Sequence, residues 1–139
     1  MMISADLAIL LVITAALYFV IGAFWYSPYC LGKPWMKAVG MTSDMSDPNH
    51  KMIQAMIISY LVSLAQVFVL ALIISHLKVQ SIIYSAILGS FMALVFGLLS
   101  AVRSHGYIKC NRTQMVIDHG YDVVASAICS AVIASHLFG

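Results

Sequence analysis

Three stretches of this sequence, Leu7 to Tyr26, Met52 to Leu77 and Val79 to Val102, contain no Asp, Glu, Lys or Arg. A helix rises about 1.5 Å per residue and a bilayer's hydrocarbon core is about 30 Å thick, so roughly 20 apolar residues carry a helix across it. Each stretch meets that length. The composition points the same way: 63% of the 139 residues are hydrophobic, 9% are charged, and Glu is absent, where soluble domains carry about a quarter charged residues. A water-facing surface cannot be built from that. The expectation is an all-α, polytopic membrane protein with a single transmembrane domain over residues 1–139, solvated mainly by the lipid bilayer.

A fourth stretch, Val123 to Phe138, is too short unless Asp118, His119 and Asp122 are admitted to the helix. The expected spans are therefore about 5–27, 51–77, 79–103 and 115–138, four transmembrane helices in all. The first is read as retained rather than as a cleaved signal: no Lys or Arg precedes it, Asp6 stands where the basic region would be, and the apolar stretch is too long.

Lys33, Lys37 and Lys51 lie between the first two spans, and Arg103, Lys109 and Arg112 between the last two, while the opposite side carries only Lys78. By the positive-inside rule the first and third loops face the cytoplasm and both termini face outward, across a cell inner membrane. No basic run points to nucleic acid. Of three cysteines, Cys30 and Cys110 fall in the loops assigned to the reducing side and Cys129 falls within the fourth span, with no CxxC spacing. Disulfides and membrane thiol redox chemistry are not expected.

The first span ends in Phe24-Trp25-Tyr26, aromatics suited to the headgroup level, and Pro28 stops the backbone ladder. Gly32 to Gly40 carries Pro34 near its start and Gly at its end, which predicts a short interfacial helix over about 33–40. Trp35, Met36 and Val39 would share one face, with Lys33 and Lys37 reaching phosphates. Thr42 to Asn49 reads as the one real loop. The tight connection at Lys78 predicts an antiparallel hairpin of the second and third spans. Gly89, Ala93, Gly97 and Ala101, and Ser126, Ser130 and Ala134, form small-residue stripes, the usual packing surface of helices in lipid. Spacing does not say whether they pack within one chain or between copies; the amount of such surface favours a homo-oligomer.

The run GAFWYSPYCLGKPWMKAVG from Gly22 to Gly40 resembles the hallmark of a family of small bacterial membrane proteins, domain of unknown function 1761. The family's Gly-x-x-Trp-Tyr-Ser-Pro stretch falls on Gly22, Trp25, Tyr26, Ser27 and Pro28, and its Gly-Lys-x-Trp-Met and following Gly fall on Gly32, Lys33, Trp35, Met36 and Gly40. The resemblance extends over the whole chain through the four-helix layout and the Gly120-Tyr121 pair. It implies architecture and lends no chemistry. Pro34 and the acidic setting Asp118-His119-Gly120-Tyr121-Asp122 depart from the family's pattern.

The residues with most chemical potential are Asp118, His119 and Asp122. The two carboxylates stand one turn apart on one helix face, with His119 at its edge. An Asp at the centre of a span costs about 2.5–3.5 kcal/mol on insertion scales, so such groups face a wet cavity or a partner. One reading is a proton- or cation-responsive site in a water-filled crevice, with Arg103 nearby. The other is structural: Asp118 and Asp122 cap the fourth span and pair with Arg103 or Arg112. Likewise Trp25, Tyr26, Ser27, Pro28, Gly32, Lys33, Trp35 and Met36 form either a lipid-headgroup pocket or a plain membrane anchor. Met41, Met45, Met52 and Met56, with Cys30 and His50, have soft-metal ligand types, but they straddle a loop and a helix start, and no metal or cofactor is expected. Gln66 is assigned a helix–helix hydrogen bond.

Two functions remain open from the sequence. One is an oligomeric transporter or channel for a proton, cation or small solute, using the acidic residues that open the fourth span. The other is a non-catalytic scaffold or accessory protein that binds lipid or a partner through the aromatic loop. An enzyme is not expected, because no nucleophile–base pair or cofactor fingerprint stands at usable spacing.

Overall fold

The computed structural model describes the backbone over residues 5–40, 50–105 and 111–139, and the side chains over 5–40, 53–103 and 111–139. The polar loop 42–49, Met41, Met45, Lys109 and Cys110 lie outside the described residues, as do the side chains of His50, Lys51, Met52 and His105. The described chain is all helical: α1 (Ala5–Trp25), α2 (Gly32–Ala38), α3 (His50–Leu77), α4 (Ile82–His105) and α5 (Arg112–Phe138). Among these, α1, α3, α4 and α5 are long and apolar enough to cross a membrane, which makes this a multi-pass membrane protein.

Local chemistry moves three boundaries from their expected places. First, α1 stops at Trp25 rather than 27, because the chain turns back on itself: the Ser27 N–H bonds to the Phe24 carbonyl at 3.1 Å, and the Cys30 and Gly32 N–H groups both reach the Ser27 carbonyl. Gly32 permits this turn. A Cβ there would collide with the Tyr26 carbonyl and stand 2.7 Å from that of Ser27, and backbone has no room to yield.

Second, α4 begins at Ile82, not 79. Lys78 adopts a left-handed φ of 51°, the Val79 N–H returns to the Ile74 carbonyl at 3.2 Å, and the Lys78 N–H reaches that of Ser75 at 3.4 Å. This is a Schellman closure with a lysine where glycine is usual. Ser81 then caps α4, accepting from the Tyr84 N–H at 3.4 Å. Third, α5 begins at Arg112 rather than 115, because Asn111 is its N-cap and accepts from the Thr113 N–H at 2.9 Å. Asp118 and Asp122 are therefore not caps; both stand beyond the first turn, where the helix dipole has faded.

α5 is the centre of the packing. It contacts α1, α2, α3 and, most extensively, α4, while α1 also packs on α3. α3 and α4, neighbours in sequence, are not among the closely packed pairs. The expected hairpin thus exists only at its turn, and the two helices part along their length because α4 is held by α5 and α3 by α1 and α5. The stripes explain that preference. Gly89 lies so close to α5 that a Cβ would meet the Ser130 hydroxyl and stand 2.6 Å from the Ser126 carbonyl. The stripes are used within one chain, as close backbone approach through small residues, and so no longer argue for a second copy. The core lies between α1, α3 and α5, around Tyr18, Val67, Ile74, Ala125, Cys129 and Ile133.

Candidate functional site

The aromatic motif and the acidic pair, apart in sequence, come together. The turn after α1 and the short α2 fold onto α5, so that the Tyr26 hydroxyl and the Trp35 indole N–H both donate to Asp118 Oδ1, each at 2.8 Å. Trp25 donates its indole N–H to the Ile117 carbonyl at 3.0 Å. Asn111 extends its side-chain amide toward the Ala38 carbonyl at 3.5 Å, tying the end of α2 to the start of α5. Hydrogen bonds to a charged acceptor contribute roughly 1.5–3 kcal/mol each, so Asp118 is a knot joining α1, α2 and α5. Its partners are neutral donors.

One turn further, Asp122 has a different setting. Tyr18 in mid-α1, 1% exposed, donates to Asp122 Oδ1 at 3.2 Å and lies 3.4 Å from the Ser126 hydroxyl. The Tyr121 hydroxyl donates to the Tyr18 carbonyl at 3.0 Å. Trp35, Tyr26, Tyr121 and Tyr18 form a chain of edge-to-face rings with centroids 5.4, 5.6 and 5.4 Å apart, a favourable geometry for aromatic pairs. With α5 beginning at Arg112, Asp122 lies about 15 Å along the helix.

Because α3 and α4 part, a cleft of about 510 Å3 opens between them, floored by α5 through His119, Asp122 and Ser126. A second cavity of about 430 Å3 lies across α3, between α1, α3 and α5. Asp122 lines both, as do Gln66 and Val62. His119 points its Nδ1 at α4, buried and without a hydrogen-bond partner, where a Cβ on Gly97 would stand 2.8 Å from it.

Arg103 is not brought to the carboxylates. It is exposed at the end of α4, Arg112 is exposed at the start of α5, and no ion pair to Asp118 or Asp122 is found among the described residues. The expected pairing with arginine gives way to neutral donors because Tyr18, Tyr26 and Trp35 reach the carboxylates inside the helix bundle, while both arginines stand at helix ends. In the motif, Tyr26, Trp35 and Met36 are half-buried, whereas Pro28, Lys33 and Lys37 are exposed. The Ser27 hydroxyl is buried without a partner. Among the described residues no group of His, Cys, Asp or Glu has metal-site geometry.

Sequence reasoning missed Tyr18, and it read Ser126 only as a packing residue. A signal for Tyr18 existed: a tyrosine in the middle of an otherwise apolar span needs a partner for its hydroxyl, and Asp122 stands at matching depth.

No curated protein and no solved structure matches this chain. A family model described as "Protein of unknown function (DUF1761)" matches residues 9–134, nearly the full length, and the chain belongs to that family.

Proposed function

We propose that this chain is a carrier or channel of the inner membrane for a proton, cation or small solute, with Asp122 as the ion-binding group and His119 beside it. The observation that carries the reading is the pairing of a deep carboxylate, free of any cationic partner among the described residues, with a cleft of about 510 Å3. Intramembrane carboxylates are costly to insert and are usually kept for ion or proton handling. Tyr18, its hydroxyl also in contact with that of Ser126, orients the carboxylate from one side and leaves it open to the cleft on the other. Asp118 has a different part in this reading: it holds the frame. The reading is non-enzymatic, with the first and third loops on the cytoplasmic side, as the lysine and arginine distribution favours.

The test is flux in proteoliposomes loaded with a pH-sensitive dye. Wild-type protein is expected to give a pH-dependent proton or cation flux above that of empty liposomes, and Asp122→Asn to abolish it with the fold intact. Flux that is unchanged in Asp122→Asn removes the proposal. A scaffold reading draws on Phe24, Tyr29, Lys33 and Lys37, which remain exposed around the aromatic turn; it expects binding to anionic vesicles that depends on the two lysines and not on Asp122.

A further inference from the structure

The α3–α4 cleft limits the chemistry of what can fill it. At about 510 Å3 it falls in the range of pockets that enclose drug-sized molecules. Its walls are mainly apolar, with Val62, Val69 and Ile73 from α3 facing Met92, Ala93 and Phe96 from α4. Polar groups are few: Gln66, Ser100 and the α5 floor of His119, Asp122 and Ser126. No Lys or Arg lines it. Tyr18 donates to one oxygen of Asp122; the other has no protein donor among the described residues.

An anion would meet a carboxylate across apolar walls, with no counter-charge. A neutral solute would bury that carboxylate unpaired, a costly arrangement in a low-dielectric setting. A small hydrated metal ion fares no better, since magnesium and calcium require about six or more oxygen ligands and the cleft converges one carboxylate, one amide and two hydroxyls. An organic cation satisfies both features at once. Its apolar body packs along the walls, its charge pairs with Asp122, and Phe96 adds to the lining an aromatic ring of the kind that attracts cations. The route of entry follows from the packing: α3 and α4 are closely packed on other elements rather than on each other, so the cleft opens sideways between two lipid-facing helices.

We propose that the α3–α4 cleft binds a lipophilic organic monocation of drug-like size, an ammonium or phosphonium with aryl or alkyl substituents, which reaches Asp122 laterally from the bilayer. This rests on the reading of Asp122 as the ion-binding group and adds the class of ligand.

The test uses the full chain in lipid nanodiscs, tetraphenylphosphonium as the probe, and tetraphenylborate as a control of the same shape and opposite charge. Saturable binding of one phosphonium per cleft is expected, with no saturable binding of the borate. Asp122→Asn and the cleft-filling Val69→Trp are each expected to weaken phosphonium binding at least tenfold. Asp6→Asn, at the exposed start of α1, leaves it within twofold, and thermal melts establish that each variant is folded. Equal binding of the borate, phosphonium binding unchanged in folded Asp122→Asn, or no saturable phosphonium binding by folded wild type overturns the proposal. Asp122-dependent proton flux without phosphonium binding overturns the ligand class and leaves the carrier reading standing. Asp122-dependent phosphonium binding without flux of any cation supports the ligand class and removes the carrier.

Discussion

Asp118 and Asp122 are the same residue type one helical turn apart, yet one is enclosed by donors and the other looks into a cleft. Asp118 receives two hydrogen bonds from groups that α1's end and α2 fold over it. Asp122 receives one, from Tyr18, and lines cavities on both sides of α3. The carboxylates do not differ in themselves; the neighbouring elements do. The turn enabled by Gly32 delivers Tyr26 and Trp35 to the upper position, while the separation of α3 from α4 withholds any such cover from the lower one. A carboxylate that two donors from neighbouring elements close over is structural material, and one with a single donor beside open space is available to a ligand.

The sharpest way to break this comparison is to remove each carboxylate in turn. Asp118→Ala leaves the Tyr26 and Trp35 donors unsatisfied and should cost about 3 kcal/mol, read as a large drop in melting temperature in detergent. Asp122→Ala should cost about 1 kcal/mol, because Tyr18 keeps Ser126. Equal losses would erase the distinction.

A somewhat smaller effect tests the turn that delivers the donors. Gly32→Ala forces a Cβ against backbone carbonyls and should cost about 2 kcal/mol. Gly97→Ala meets side-chain atoms of His119 and no backbone, and should cost less than Gly32→Ala by the same melts. Next come single donors. Tyr26→Phe and Trp35→Phe should each cost about 1–2 kcal/mol, and because they share one acceptor, the double mutant should differ from the sum by at least about 0.5 kcal/mol. Smallest in stability is Tyr18→Phe, about 1 kcal/mol or less. Its larger consequence should fall on Asp122, whose single protein donor it removes, and is read as altered pH dependence of flux with little change in melting temperature.

Much of the architecture was legible because lipid imposes strict rules. Uncharged runs of spanning length located α1, α3 and α4, and the aromatic-proline sequence located the break after α1. The boundaries that moved depended on short-range capping: Ser81 and Asn111 are ordinary polar residues until their side chains close on the N–H of Tyr84 and Thr113. The hairpin expectation failed for a tertiary reason. Connection length fixes which helices are adjacent in the chain, but the stripe from Gly89 to Gly97 packs on Ser126, Ser130 and His119 of α5 rather than on α3.

The site was legible in its parts and not in its assembly. Helical spacing placed Asp118 and Asp122 on one face with His119 at its edge, and the motif Trp25-Tyr26 with Trp35 stood out by composition. Their meeting depends on how α2 folds back over α5, which no local pattern encodes. Arginine was the natural partner to expect for a carboxylate, whereas a bundle interior is better served by tyrosine and tryptophan, which donate a hydrogen bond without introducing a second charge.

The most direct test of the distinction between the two carboxylates is modification by a lipophilic carbodiimide, which reaches carboxyl groups exposed to apolar clefts, with the adduct located by peptide mass spectrometry. Selective labelling of Asp122, with Asp118 spared, is the predicted result. Labelling of Asp118 at an equal or faster rate would contradict it.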